Sequence, residues 1–121
     1  MKILVFGNEF YSEDSLAKEL LAGVDDAVMC DSPEDILKYS ESGEDFVIVD
    51  VVKGLDKVRP VTVDELKSPS SSSVHDFDLS FYLQLLQKTG KLTNVKIIGI
   101  PPSGDRSKIK KDLFDALKVS I

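Results

Sequence analysis

The stretch Phe46-Val47-Ile48-Val49-Asp50-Val51 decides the fold, because it is apolar at every position except one carboxylate near its end. A strand with one face in water alternates apolar and polar residues, whereas a strand buried on both faces of a parallel sheet is continuously apolar. Residues 3–6, 27–30 and 95–100 show the same continuous pattern. The sequence therefore predicts a parallel sheet covered on both faces. Pro60 predicts that a weaker run at residues 57–63 is an edge strand.

Four helical patterns fill the intervals between these runs. Ser12 is a suitable N-cap for the first helix, and Ser32-Pro33 predicts the start of the second, which we expect to continue to Tyr39. The apolar stripes are Leu16, Ala17, Leu20 and Leu21 in the first helix, Leu79, Tyr82, Leu83 and Leu86 in the third, and Ile109, Leu113, Ala116 and Leu117 in the fourth. This alternation predicts an α/β fold: a single domain over residues 1–121, with three α/β/α layers around a twisted, mostly parallel sheet of about five strands.

Composition and charge exclude several classes of function. The net charge of −6 disfavours nucleic acid and anionic membranes as partners, because phosphates attract basic surfaces. Cys30 is the only cysteine, so no intrachain disulfide can form, and its apolar surroundings predict a buried strand residue. The first apolar run is too short for a signal peptide or a membrane span. We therefore expect a cytoplasmic protein, with a monomer favoured.

Three potential metal ligands follow or lie between the predicted elements. Asp50 ends the third strand, Asp14 follows the first strand and opens a helix, and His75 is the only histidine. Ligands of open α/β sheets bind beyond the carboxyl ends of the strands, and an Asp/Asp/His set suits a divalent transition metal. Each residue also has a simpler interpretation: a carboxylate that complements a helix dipole, a polar strand end, and a surface or capping histidine. If the three side chains converge, one metal site explains all of them.

Several familiar catalytic motifs are absent from the sequence. Gly7 is not part of a Gly-x-Gly-x-x-Gly fingerprint, and neither a Gly-Lys-Ser/Thr phosphate loop nor a Gly-x-Ser-x-Gly nucleophile elbow occurs. The run Ser70-Ser71-Ser72-Ser73 leads directly to His75. Such a run is typical of a linker, although loops of this kind also close over substrates.

A series of short motifs resembles the nickel-iron hydrogenase maturation endopeptidases. In order along the chain they are Gly7-Asn8 after the first strand, Asp14, the strand-ending Asp50, Ser73-Val74-His75 ahead of a leucine-rich helix, and Lys96-Ile97-Ile98-Gly99-Ile100-Pro101. The resemblance extends from Lys2 to the region of Leu117, which is nearly the whole chain.

This resemblance implies a fold, an activity and a partner. Members of the family fold as a twisted sheet between helices. They remove a short C-terminal extension from the hydrogenase large-subunit precursor after nickel has been inserted. The family's metal ligands match Asp14, Asp50 and His75, which the resemblance also makes catalytic, and Asp31 is a further catalytic residue on the same grounds. The nickel is supplied by the substrate precursor, so the implied aspartyl-type endopeptidase needs no metal of its own at rest.

The chain departs from the family pattern at several positions. Val5 and Ser15 stand where the family usually has glycine, and Ser32-Pro33-Glu34 follows Asp31 where the family commonly has Gly-Gly-Thr. Two alternatives therefore remain: a protein that binds the hydrogenase precursor without cleaving it, and a receiver-like phosphoacceptor domain. In a receiver, Glu13-Asp14 would bind magnesium and the strand-ending aspartate would accept phosphate. That acidic pair lies well beyond the first strand, and no lysine follows the last strand, which disfavours the receiver.

Overall fold

The computed structural model describes residues 2–6, 16–30, 34–43, 45–52, 54–63, 74–90 and 96–120, without the side chains of residues 74–80, 119 and 120. The elements in chain order are β1 (Lys2–Val5), α1 (Leu16–Leu21), β2 (Ala27–Met29), α2 (Asp35–Ser42), β3 (Phe46–Val51), β4 (Arg59–Val61), α3 (Val74–Lys88), β5 (Ile97–Ile100) and α4 (Arg106–Ser120). Strands and helices alternate except at β3 and β4, which follow each other directly.

The strands form one five-stranded sheet in the order β2-β1-β3-β5-β4. β1 pairs in parallel with β2 and β3, and β3 pairs in parallel with β5, whereas β4 is antiparallel to β5. β4 contains Pro60 and lies at an edge of the sheet, where the missing proline N–H breaks no ladder. The prediction of a mostly parallel sheet of five strands with an edge strand at Pro60 is therefore confirmed.

Each face of this sheet is covered by helices, which confirms the three predicted layers. Because successive strand residues point to opposite faces, Val47, Val49 and Val51 of β3 pack with α1 and α4, while Ile48 and the following Val52 pack with α2 and α3. We call these the α1/α4 face and the α2/α3 face. The helical residues buried on the α1/α4 face are Leu16, Ala17, Leu20, Leu21, Ile109, Leu113 and Leu117, and those on the α2/α3 face are Ile36, Leu83 and Leu86.

Predicted boundaries differ from the structure by one or two residues at β1, β2 and β4, and three other differences follow. α2 continues past Tyr39 and stops at Gly43, whose φ of 77° is left-handed and favours glycine. α3 begins at Val74, before its apolar stripe starts, so His75 lies inside the helix rather than ahead of it. β5 begins at Ile97, two residues later than predicted. The predicted caps Ser12 and Ser32-Pro33 and the run of residues 70–73 lie outside the described residues.

Two further features agree with the sequence. Cys30 is fully buried, as its apolar surroundings predict, although it directly follows β2 rather than belonging to the strand. Among the described residues, the chain has no helix with the length and apolar character needed to cross a bilayer.

Candidate functional site

The strand order places the candidate site at a particular edge of the sheet. The chain leaves β1 for β2 on one side and then returns to β3 on the other side, so the order reverses between β1 and β3. Ligands of open α/β sheets bind beyond the carboxyl ends of the strands at such a reversal. The segment after β1 contains Asp14, and the carboxyl end of β3 contains Asp50. The structure therefore places Asp50 at this edge, while Asp14 lies outside the described residues.

Asp50 is the predicted site residue that the structure describes completely. It is the penultimate residue of β3 rather than the last, and it is only 1% exposed. Its backbone pairs with Gly99 of β5, and the Phe6 N–H donates to the Val49 carbonyl at 2.9 Å, which continues the register and brings Phe6 beside Asp50. Ile48 and Val52 precede and follow it on the α2/α3 face. A carboxylate is thus held among apolar neighbours, where electrostatic interactions are stronger than in water.

Gly99 shapes the other side of Asp50, and sequence reasoning did not assign it a role in the site. A Cβ atom added at Gly99 would lie 2.7 Å from Leu55 Cδ1, 3.0 Å from Val61 Cγ1 and 3.2 Å from Val52 Cγ2. These aliphatic side chains occupy the space that a side chain at position 99 would need. A glycine inside a strand indicates such a close approach, and the sequence Ile98-Gly99-Ile100 carried that signal.

The backbone of α3 places His75 in the first turn of that helix. With 3.6 residues per turn, positions 75, 82 and 86 fall on one side of the helix. Tyr82 and Leu86 of that side pack against the α2/α3 face of the sheet, which is also the face of Asp50 by strand alternation. The helix position of His75 and the strand position of Asp50 therefore belong to the same side of the sheet.

The other predicted site residues cannot be located in the same way. Asp14, Asp31, Gly7 and Asn8 lie outside the described residues, as does the side chain of His75. Among the side chains that the structure describes, no three histidine, cysteine or acidic groups are gathered as a metal site. Convergence of Asp14, Asp50 and His75 accordingly stays a prediction.

The electrostatics of the α2/α3 side are negative near Tyr82. Burial raises the pKa of Tyr82 above its ordinary value of 10.0, and the charges of Glu34 and Glu41 raise it further. Both acidic residues belong to the region of α2. The carboxylates of Glu34 and Glu41 therefore lie close enough to the Tyr82 phenol to disfavour its ionisation.

Two solved structures share this architecture. The hydrogenase maturating endopeptidase HybD from E. coli superposes with a TM-score of 0.69 at 15% sequence identity, covering 99% of this chain and 94% of that chain. The hydrogenase 3 maturation protease superposes with a TM-score of 0.63 at 22% identity, covering 97% of this chain and 86% of that chain. At these identities the likeness shows the fold, and it confirms the α/β prediction.

The family is shown by sequence. No curated protein matches the chain significantly. The profile of the HycI family, described as hydrogenase maturation protease, matches residues 31–121. The match takes in Asp31, Asp50 and His75, and it begins after Asp14. Because it spans more than half of the chain, the protein belongs to the hydrogenase maturation protease family.

Proposed function

We propose that this protein is an endopeptidase that removes the C-terminal extension of a nickel-iron hydrogenase large-subunit precursor after nickel insertion. Family membership implies a protease that acts in hydrogenase maturation. The choice of substrate segment and the dependence on nickel are our proposal. Asp14, Asp50 and His75 would contact the nickel that the precursor already carries, and Asp31 would take part in cleavage beside them.

The observation that carries this proposal is the burial of Asp50. An aspartate that is 1% exposed, with Ile48 and Val52 on either side of it, is unusual in a strand, because a buried carboxylate costs free energy even when it is paired. A strand that served only the core would have an apolar residue here, as β3 has at Val49 and Val51. The position of Asp50 at the carboxyl end of β3, beside the reversal of strand order, is where an α/β protein binds its ligand.

The positions of the other proposed residues support the same site. The segment with Asp14 leaves the carboxyl end of β1, and Asp31 follows β2, which neighbours β1. His75 lies in the first turn of α3, on the helix side that packs toward the face of Asp50. The side chains of Asp14, Asp31 and His75 lie outside the described part of the structure, and their convergence on Asp50 is part of the proposal.

The proposed donor set fits the chemistry of a precursor-bound nickel. Imidazole suits nickel as a ligand, and two carboxylates add negative charge that balances a divalent ion. If the precursor's thiolates leave positions on the metal open, these three side chains can complete its coordination and fix the precursor on the enzyme. Cleavage would then require loaded nickel, because without the metal the bridge between enzyme and precursor cannot form. A metal held here can also polarise the scissile carbonyl or activate a water.

Two rival functions receive less support. A receiver-like domain is expected to have a lysine after its last strand, whereas Pro101 follows β5. A protein that binds the precursor without cutting it would share the family match. The start of that match at residue 31 favours it slightly, because the segment with Asp14 lies outside the matched region.

The test is a processing assay with purified, nickel-loaded precursor and with the same precursor lacking nickel. We expect wild type to shorten only the nickel-loaded precursor, as intact mass shows, and His75→Ala to abolish the reaction while α3 stays folded. Gln87→Ala is the matched control, because Gln87 is an exposed residue near the other end of the same helix. Normal processing by His75→Ala would exclude the proposed site. Binding of the precursor without any cleavage by wild type would favour the non-cleaving alternative.

A further inference from the structure

We propose that β2 is a docking edge where an extended, basic segment of the precursor adds to the sheet as a sixth strand. The identity of the partner rests on the proposed function. Met29 is the most exposed residue of β2 and lies on this edge.

The phase of the β1–β2 ladder identifies which backbone groups point outward. The Ile3 N–H donates to the Asp26 carbonyl at 2.9 Å, and the Cys30 N–H donates to the Val5 carbonyl at 2.9 Å. Alternate residues of a parallel strand bond to the same neighbour, so Asp26 and Cys30 face β1 while Ala27 and Met29 face away from it.

The outward groups form a short template for strand addition. The Ala27 N–H is already used, since it donates to the Val24 carbonyl at 3.1 Å. In the described part of the chain, no backbone bond engages the Met29 N–H or the carbonyls of Ala27 and Met29. One donor flanked by two acceptors is the arrangement that an extended peptide pairs with in β-augmentation. The Met29 side chain is 41% exposed and adds apolar surface beside these groups.

The opposite edge of the sheet is closed by its own residues. Pro60 of β4 has no N–H, and its carbonyl accepts a hydrogen bond from Arg59 Nη1 at 3.1 Å. Proline and a capping arginine are typical devices that keep an edge from pairing with another chain. Among the described residues, the centre of β4 carries such protection and the centre of β2 does not. β2 is therefore the edge that is open to strand addition.

Charge and direction select the partner. Asp25 and Asp26 are exposed just before β2, and Asp31 follows it. Two copies that met along β2 would bring two sets of these acidic residues to one interface, so a second copy of the chain is disfavoured. A segment with lysine or arginine is favoured instead. β2 also runs toward the carboxyl edge of the sheet, so a strand beside Met29 continues toward the proposed site.

The first experiment uses amide hydrogen exchange of the wild-type protein with and without nickel-loaded precursor. We expect slower exchange at the Met29 N–H when precursor is bound, because that amide would donate to the added strand. Unchanged exchange at Met29 in the bound complex would overturn the inference. This readout does not depend on cleavage: protection without processing would support the docking edge while excluding the peptidase, and processing without protection would do the reverse.

Two variants test the same inference by kinetics. Met29→Pro removes the outward donor at an edge position that tolerates proline, and we expect KM for the precursor to rise about tenfold with kcat unchanged. Asp25→Lys should also raise KM, and more so at low salt. The control is Asp115→Lys, at an exposed position of α4, which makes the same change of net charge and should leave KM unchanged. An unchanged KM in a folded Met29→Pro, or equal effects of the two lysine variants, would contradict strand addition. If Met29→Pro does not fold, the exchange experiment on wild type decides.

Discussion

The two faces of β3 are both buried, but they differ in the residues that they bury. On the α1/α4 face, Val47, Val49 and Val51 are all apolar and at most 1% exposed. On the α2/α3 face, Ile48 and Val52 flank Asp50, a carboxylate that is only 1% exposed. Two adjacent residues therefore differ in role. Val49 adds apolar packing to the core, whereas Asp50 places a carboxylate there.

The difference teaches where this fold accommodates its chemistry. A closely packed apolar layer on one face holds the strands in register, and that rigidity allows the other face to bury a charge near its carboxyl edge. Function of this kind commonly costs stability, because a site preorganised for a ligand is not optimised for the unliganded fold. The comparison predicts that substitutions on the two faces separate activity from stability.

The largest expected effect is on activity at Asp50. Asp50→Asn keeps the shape of the side chain and removes its charge, so we expect processing of nickel-loaded precursor to fall by more than about a hundredfold. The side chain keeps its volume, so we expect the variant to remain folded. The measurements are kcat/KM and thermal unfolding of the same preparation.

Val49→Ala is the matched control for Asp50→Asn. Val49 is adjacent in the same strand and fully buried on the α1/α4 face. Its truncation should cost about 1–3 kcal/mol of stability and leave the activity of the folded molecules unchanged. Activity retained in Asp50→Asn, or lost equally in both variants, would break the proposed division between the faces.

On the α1/α4 face the largest expected effect is on stability. Leu113 of α4 is fully buried against the sheet, so Leu113→Ala should destabilise the protein by about 2–5 kcal/mol. We expect the melting temperature to fall by about 10 °C or more. Below the transition, kcat should match wild type, and a lower kcat in fully folded protein would show that this face also shapes the site.

A smaller, mixed effect is expected at Gly99, which borders Asp50. Gly99→Ala would place a methyl group 2.7 Å from Leu55 Cδ1 and 3.0 Å from Val61 Cγ1, so overpacking should cost about 1–3 kcal/mol. The displaced neighbours include Val52, next but one to Asp50, so processing should also slow.

The second variant in this test is Leu55→Ala in the Gly99→Ala background. Removing the nearest clashing group should restore part of the lost stability, and a double-mutant cycle by denaturant unfolding measures that coupling. A Gly99→Ala protein as stable as wild type, or a cycle without coupling, would show that the neighbours adapt freely.

Much of the fold could be predicted from local sequence pattern, and the site only in part. Continuous apolar runs indicated doubly covered parallel strands, and Pro60 indicated an edge, because both properties are local. The helix that carries His75 begins earlier than its apolar stripe, since its first turn needs no core contact to be helical. The stop of α2 depends on Gly43 rather than on the pattern that suggested Tyr39.

The neighbours of Asp50 were not predictable in the same way. Phe6 and Gly99 lie beside it because of the register of three strands that are distant in sequence. Register is fixed by packing of whole faces, and a shift of one residue would exchange the two faces completely. Only the positions of candidate ligands could therefore be named in advance, and their convergence depends on residues outside the described part of the chain.

The smallest expected effect concerns the pH dependence of stability on the α2/α3 face. Burial, with Glu34 and Glu41, raises the pKa of Tyr82 above 10.0, so the folded protein holds this proton more tightly than the unfolded chain. Above pH 10.0 the unfolded chain ionises first, and stability therefore falls as pH rises through the interval up to the folded pKa. Tyr82→Phe removes this contribution, so its melting temperature should decline less steeply over that interval. Glu34→Gln should reduce the steepness only slightly, because burial is the larger cause. If the melting temperatures of wild type and Tyr82→Phe decline equally with pH across this interval, the phenol is as solvated in the folded protein as in the unfolded chain. α3 would then pack less closely on its face of the sheet than Leu113 and α4 pack on the other.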